Sequence, residues 1–135
     1  MTELRSHTLA RAAYERVTAR QAAAFKKEYG ALAHKFPGMI LQNGLAQATG
    51  FLLAKGAAEH LALMADLAAL LRHSGAVTST DPQALHQAVI AADLAATLLL
   101  TRRALEASSW MKRYVQGALG IDATGEPSDG GGSQP

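Results

Sequence analysis

The segment Phe36–Ala54, FPGMILQNGLAQATGFLLA, decides the fold. It runs 19 residues without Asp, Glu, Lys or Arg, long enough to raise the question of a membrane span. Only 11 of those residues are apolar, and Pro37, Gln42, Asn43, Gln47, Thr49 and three glycines interrupt them. That mixture is too polar for stable insertion in lipid, so it predicts a helix buried inside a bundle. Pro37 marks a break, because its ring disfavours helix in the preceding residue. The helix is therefore expected over Gly38 to Ala54, closed by Gly56. Gly44 and Gly50 inside it cost about 1 kcal/mol each relative to alanine, which makes sense where another helix backbone approaches closely. Asn43 and Gln47, four residues apart on one face, should hydrogen-bond each other or a neighbour.

On the N-terminal side, a first helix is expected from about Thr2 to Tyr29, with Gly30 bending or ending it. At about 100° per residue, Tyr14, Val17, Phe25, Tyr29 and Leu32 fall on one side of its axis. Arg5, Arg16, Arg20 and Lys27 cluster on the opposite side, with no acid among them. Such a row reads either as a solvated outer face or as cations tracking a phosphate backbone.

On the C-terminal side, Ala57 to His73 predicts a third helix. Its stripe of Leu63, Met64, Leu67, Leu70 and Leu71 has the i, i+3, i+4 spacing of a core face. Ser74 to Thr80 is expected as a loop. Thr80 or Asp81 caps the next helix, with Pro82 at its first position. Asp93 divides the remaining helical stretch into a short helix, Pro82 to Ala91, and a long one, Leu94 to Ala118. Leu94 to Leu100 is apolar on nearly every side and should thread the centre of the bundle, while Arg102, Glu106, Ser109 and Arg113 share a polar side. Residues 120–135 hold five glycines, two prolines and two serines, the composition of a disordered tail.

Composition agrees with an all-α fold. The chain has 135 residues, enough for a single domain: a bundle of about five to six helices over 1–119, followed by the tail at 120–135. It contains 29 alanines and 19 leucines, both strong helix formers, against 7 valines and isoleucines together. Cysteine is absent, which excludes disulfides, thiolate zinc sites and thiol nucleophiles. Neither a signal peptide nor a membrane span is visible, so a cytoplasmic location without membrane attachment is expected.

Charge is unevenly placed. The formal net charge is +2, but the tail carries Asp122, Glu126 and Asp129 and no base, leaving +5 on residues 1–119. Seven of the 13 basic residues lie in the first 35 positions, which points to a polyanionic partner.

Signatures of catalysis are missing. The sequence has no phosphate-binding G-x-x-x-x-G-K-[ST], no G-x-G-x-x-G, no G-x-S-x-G and no H-E-x-x-H. His7, His34, His60, His73 and His86 are scattered, with no two placed four apart on one helix. No catalytic residue, metal or cofactor is expected. If the protein binds nucleic acid, it should do so through phosphates, with little base readout. The candidates are Arg5, Arg16, Arg20, Lys26, Lys27, Lys35, Lys55, Arg102, Arg103, Lys112 and Arg113.

Two blocks resemble a known family. Pro37, Ile40, Asn43, Gly44, Leu45, Gln47, Phe51, Leu52 and Lys55 match a Pro, apolar pair, Asn-Gly-Leu-x-Gln and apolar-Lys pattern. Thr101, Ala104, Leu105, Trp110, Lys112 and Arg113 match a Thr-led helix reaching a Trp-x-Lys-Arg end. Both resemble the small helical subunit of the type III-B (Cmr) CRISPR–Cas RNA-silencing complex, over about residues 5–119. Leu98–Leu100 departs from that family's more polar and aromatic turn, and the Gly-rich tail is extra. The resemblance implies a structural role in antiviral defence. Copies stack head to tail beside the subunits that hold guide RNA, helping to form the channel for target RNA, and other subunits cut. Expected partners are those subunits, further copies of this chain, guide RNA and target RNA. A pure protein–protein adaptor and a small helical nuclease are the competing readings.

Overall fold

The computed structural model describes residues 4–127. Six helices follow in order: α1 (Arg5–Thr18), α2 (Lys26–Asn43), α3 (Leu45–Lys55), α4 (Ala58–His73), α5 (Pro82–Ala91) and α6 (Leu94–Gly117). No strand occurs among the described residues, only an isolated bridge between Ile121 and Pro127. Among the described residues, no helix is long and apolar enough to cross a membrane.

The fold is organised around α4, which packs against every other helix, while α6 lies along α1 and α2 on the far side. The leucine–methionine stripe of α4 is buried as its spacing requires. It meets Tyr29, Phe36 and Ile40 of α2, Leu52 of α3, Leu85 of α5 and Met111 of α6 in one continuous core. Each such side chain contributes about 1.5–3 kcal/mol through burial. The Asp93 division also holds: Asp81 and Asp93 cap α5 and α6, accepting from the backbone N–H of Ala84 and Ala96.

The N-terminal half is divided differently from expectation. The first helix stops at Thr18, whose hydroxyl donates to Tyr14 O at 2.7 Å, and short turns lead from Ala19 into α2. A straight helix would hold Arg20 and Tyr29 about 14 Å apart along its axis. Both instead bond one carboxylate, that of Asp66. The chain must double back for them to meet.

Neither Gly30 nor Pro37 ends a helix; both lie inside α2. Pro37 cannot donate to Ala33, a loss of about 3 kcal/mol. The neighbouring Phe36 and Ile40 are fully buried, and about 1.5–3 kcal/mol from each offsets it. Gly30 is required by contact, because a Cβ there would lie 2.5 Å from Ile121 Cγ2.

The true break is Gly44, with φ +86°, shared as the end of α2 and the start of α3. Its backbone conformation, not close helix approach, explains this glycine, since nothing lies within 4 Å of its Cβ direction. Asn43 and Gln47 thus belong to different helices, and both are exposed.

Two further expectations change. Leu94–Leu100 does not thread the bundle: Leu94 is 76% and Leu98 60% exposed, and only Leu100 is buried. The start of the tail is also folded. Ile121 is buried beside Gly30, and Ile121–Pro127 closes into a turn against α2. The rest of the tail expectation falls on residues outside those described.

Candidate nucleic-acid interface

Arg16, near the end of α1, and Arg20, in the turn after it, are drawn inward by Asp66 of α4, which is fully buried. Arg16 Nε donates to Oδ1 at 2.9 Å. Arg20 donates from Nε to Oδ2 at 3.0 Å and from Nη2 to Oδ1 at 2.6 Å. The Tyr29 hydroxyl donates to Oδ2 at 2.6 Å. Burial, reinforced by the adjacent carboxylate, pushes the Tyr29 hydroxyl well above its ordinary range. Hydrogen bonding to Asp66 raises Arg20 further. A carboxylate taken out of water is tolerable only when its lone pairs are filled by such donors. The cluster ties α1, α2 and α4 together.

The acid-free cationic row read from the first helix is therefore not what the fold presents. Arg16 and Arg20 are committed to Asp66. Arg5 and Arg103 share Glu106, at 2.5 and 3.4 Å. Lys27 Nζ pairs with Glu126 at 2.6 Å. These acids come from α4, α6 and the C-terminal turn, which is why a single-helix projection cannot show them.

Lys26, Lys35, Lys55, Arg102, Lys112 and Arg113 make no ion pair with a described carboxylate. Arg102 and Arg113 flank Trp110 on α6. Arg102 lines an open groove of ≈ 610 Å³ with Leu98, Thr101, Leu105, Glu106, Ser109 and Trp110. Arg113 stands over the Trp110 ring at 5.9 Å. Trp110 stacks on Tyr114, with centroids 5.7 Å apart, and Tyr114 meets Tyr14 edge-on at 5.3 Å. The result is a ledge of cations and aromatic rings suited to phosphates and unpaired bases. Lys55 lies apart at the end of α3, over Phe51 at 5.8 Å. Lys26 lies apart at the start of α2.

The CRISPR-associated Cmr5 family model matches residues 5–118, all six helices of the bundle. The chain belongs to the Cmr5 family. It is 36% identical over 115 residues to the CRISPR system Cmr subunit Cmr5 of Thermus thermophilus, covering 85% of this chain and 96% of that protein. The X-ray structure of a CRISPR-associated Cmr5 family protein from the same organism superposes with a TM-score of 0.77 at 35% identity. It covers 86% of this chain and 97% of the other. The Cmr5 match ends at 118, so the Ile121–Pro127 turn lies beyond it.

Two features of this Cmr5-family chain escaped sequence reasoning. Asp66 sits among Leu63, Met64, Leu67 and Leu70, and an acid in so apolar a stripe was itself a signal that cations must reach it. The second is an uncharged corner where α3, α5 and α6 meet. An apolar cleft of ≈ 300 Å³ opens there, lined by Leu45, Ala46, Val89, Ile90, Ala92, Thr97 and Leu100. Ile90, which lines the cleft, is exposed, as are Leu94 at the start of α6 and Leu41 at the end of α2. Among the described residues, no group of three His, Asp or Glu is placed to hold a metal ion.

Proposed function

We propose that this chain is a non-catalytic structural subunit of a type III-B CRISPR guide-RNA complex, whose copies stack and whose α6 ledge contacts RNA phosphates. Membership of the Cmr5 family supports the first part. The observation that carries the RNA contact is the division of the cations. Arg5, Arg16 and Arg20 are consumed by Glu106 and Asp66, whereas Arg102 and Arg113 keep their charge available beside Trp110, with Lys112 elsewhere on α6. Lys26 and Lys55 extend the cationic surface elsewhere on the bundle. One copy neutralises few phosphates and binds weakly; stacked copies gain avidity. Stacking is supported by the uncharged corner, since exposed apolar side chains gathered in one place mark protein contacts.

The runner-up is an adaptor with no RNA contact, favoured by the pairing of Arg5, Arg16, Arg20, Lys27 and Arg103 with acids. Reconstituting the complex with Arg102→Glu and Arg113→Glu separates the two. RNA contact predicts intact assembly and at least tenfold weaker target binding. Unchanged target binding supports the adaptor. Ile90→Glu with Leu94→Glu should leave the monomer folded and reduce stacking; full incorporation of this variant refutes the corner as a stacking surface.

A further inference from the structure

The C-terminal turn is built, not draped. Asp122 Oδ1 accepts from the Thr124 N–H at 2.9 Å, the Thr124 hydroxyl at 2.6 Å and the Glu126 N–H at 3.2 Å. Those bonds hold the Asp122 carboxyl below its ordinary range. Backbone bonds from Asp122 N to Glu126 O and from Gly125 N to Asp122 O close the loop. Its root is anchored: Ile121 fills the space left by Gly30, and Ile121 O bonds His34 Nε2 at 2.9 Å. Gly125 lies so close to α2 that a Cβ would come within 2.9 Å of Lys27 O, and its φ is +86°.

What this turn delivers is a carboxylate. Glu126 Oε2 meets Lys27 Nζ at 2.6 Å, and hydrogen bonding to Glu126 raises the Lys27 ammonium. Lys26 and Lys27 open α2, whose N-cap, Phe25, supplies no side-chain acceptor. Both lysines line a cavity of ≈ 320 Å³ roofed by Ile121, Gly125 and Pro127 of the turn. The pair is exposed, at 57% and 56% for the two side chains, so a competing anion can reach it. An exposed pair of this kind is weak and is screened by salt.

We propose that the Ile121–Pro127 turn is an internal phosphate mimic: Glu126 occupies Lys27, beside Lys26, and yields it to an RNA phosphate. This rests on the RNA-contact reading and adds its regulation. The anchored root keeps the carboxylate beside Lys27, so Glu126 competes with a phosphate for this site and weakens its filling. A second carboxylate source is close in sequence, since residues 120–135 contain three acids and no base.

The test uses the full chain and a fluorescently labelled single-stranded uridine oligomer, titrated at several salt concentrations. Glu126→Gln should bind two- to fivefold more tightly, the range of an exposed ion pair. The slope of log affinity against log salt should steepen by up to about 0.7, the limit in which wild-type RNA leaves Lys27 on Glu126. In a Lys27→Gln background the same change should do nothing. Amide exchange gives an independent measure: added RNA should accelerate exchange at Gly125, whose N–H bonds Asp122 O, and leave Leu67 of the core unchanged. Equal affinity and slope for Glu126→Gln, with weakening still seen for Arg102→Glu and Arg113→Glu, overturns the turn's role alone. Absence of RNA binding in every variant, Glu126→Gln included, overturns both it and the RNA-contact reading. A gain with Glu126→Gln but none of the Arg102 or Arg113 effect keeps the turn and removes the α6 ledge.

Discussion

Replacing Asp66 with alanine should be among the most damaging single changes to this fold, and its size follows from the bonds lost. Asp66 is fully buried and receives the Tyr29 hydroxyl, Arg16 and Arg20. Without it, the buried Tyr29 hydroxyl loses its acceptor, at about 1–3 kcal/mol. Two charge-assisted pairs go as well, nominally about 1.5–3 kcal/mol each. That second part must be discounted, because the Arg16 and Arg20 side chains are 39% and 22% exposed and can turn to water. The sum is about 3 kcal/mol, at the lower edge of the cost of orphaning a buried pair. For a chain of this length it lowers Tm by about 10 °C. Urea unfolding followed by circular dichroism measures it, with Arg20→Ala, Arg16→Ala and the double variants completing a cycle. Arg20, the less exposed partner and donor of two bonds, should couple to Asp66 more strongly than Arg16. A loss under about 1 kcal/mol for Asp66→Ala, with no coupling to Arg20, refutes the claim that this cluster ties α1, α2 and α4 together.

Two further outcomes rest on single residues. Gly44→Ala should cost about 1–3 kcal/mol, since φ +86° with ψ 159° is open essentially to glycine alone; an unchanged urea midpoint would show that the α2–α3 break tolerates a side chain. Tyr29 has a folded-state value raised above its ordinary one near 10, so the stability it contributes is complete below about pH 10 and is lost as pH rises through the folded value. Tyr29→Phe should lose about 1.5 kcal/mol at neutral pH and show a shallower alkaline decline; urea midpoints between about pH 8 and pH 11 test this, and an equally steep decline counts against it.

Much of this protein was legible residue by residue. The all-α class came from alanine and leucine abundance, the core face of α4 from its leucine spacing, and the α5–α6 division from Asp81, Pro82 and Asp93. Such signals act within a few residues: a cap bonds its own first turn, and a stripe faces one way along its own helix. The family resemblance was legible as a local run of residues around Asn43, Gly44 and Leu45, although the helix break at Gly44 was not.

Partnership across the chain was not legible. Arg16 and Arg20 look like free cations until α4 brings Asp66 to them from 46 and more positions away. Leu94 and Leu98 look like core until packing leaves their side of α6 uncovered. Periodicity states that a face is apolar, not what covers it. Pro37 passes through α2 because the burial of Phe36 and Ile40 outweighs a local penalty. Sequence alone thus determined the all-α class and where α4, α5 and α6 start. Tertiary structure decided which charges are spent inside the fold and which remain for a partner, because charge pairing depends on distances of a few ångströms that only the packed helices set.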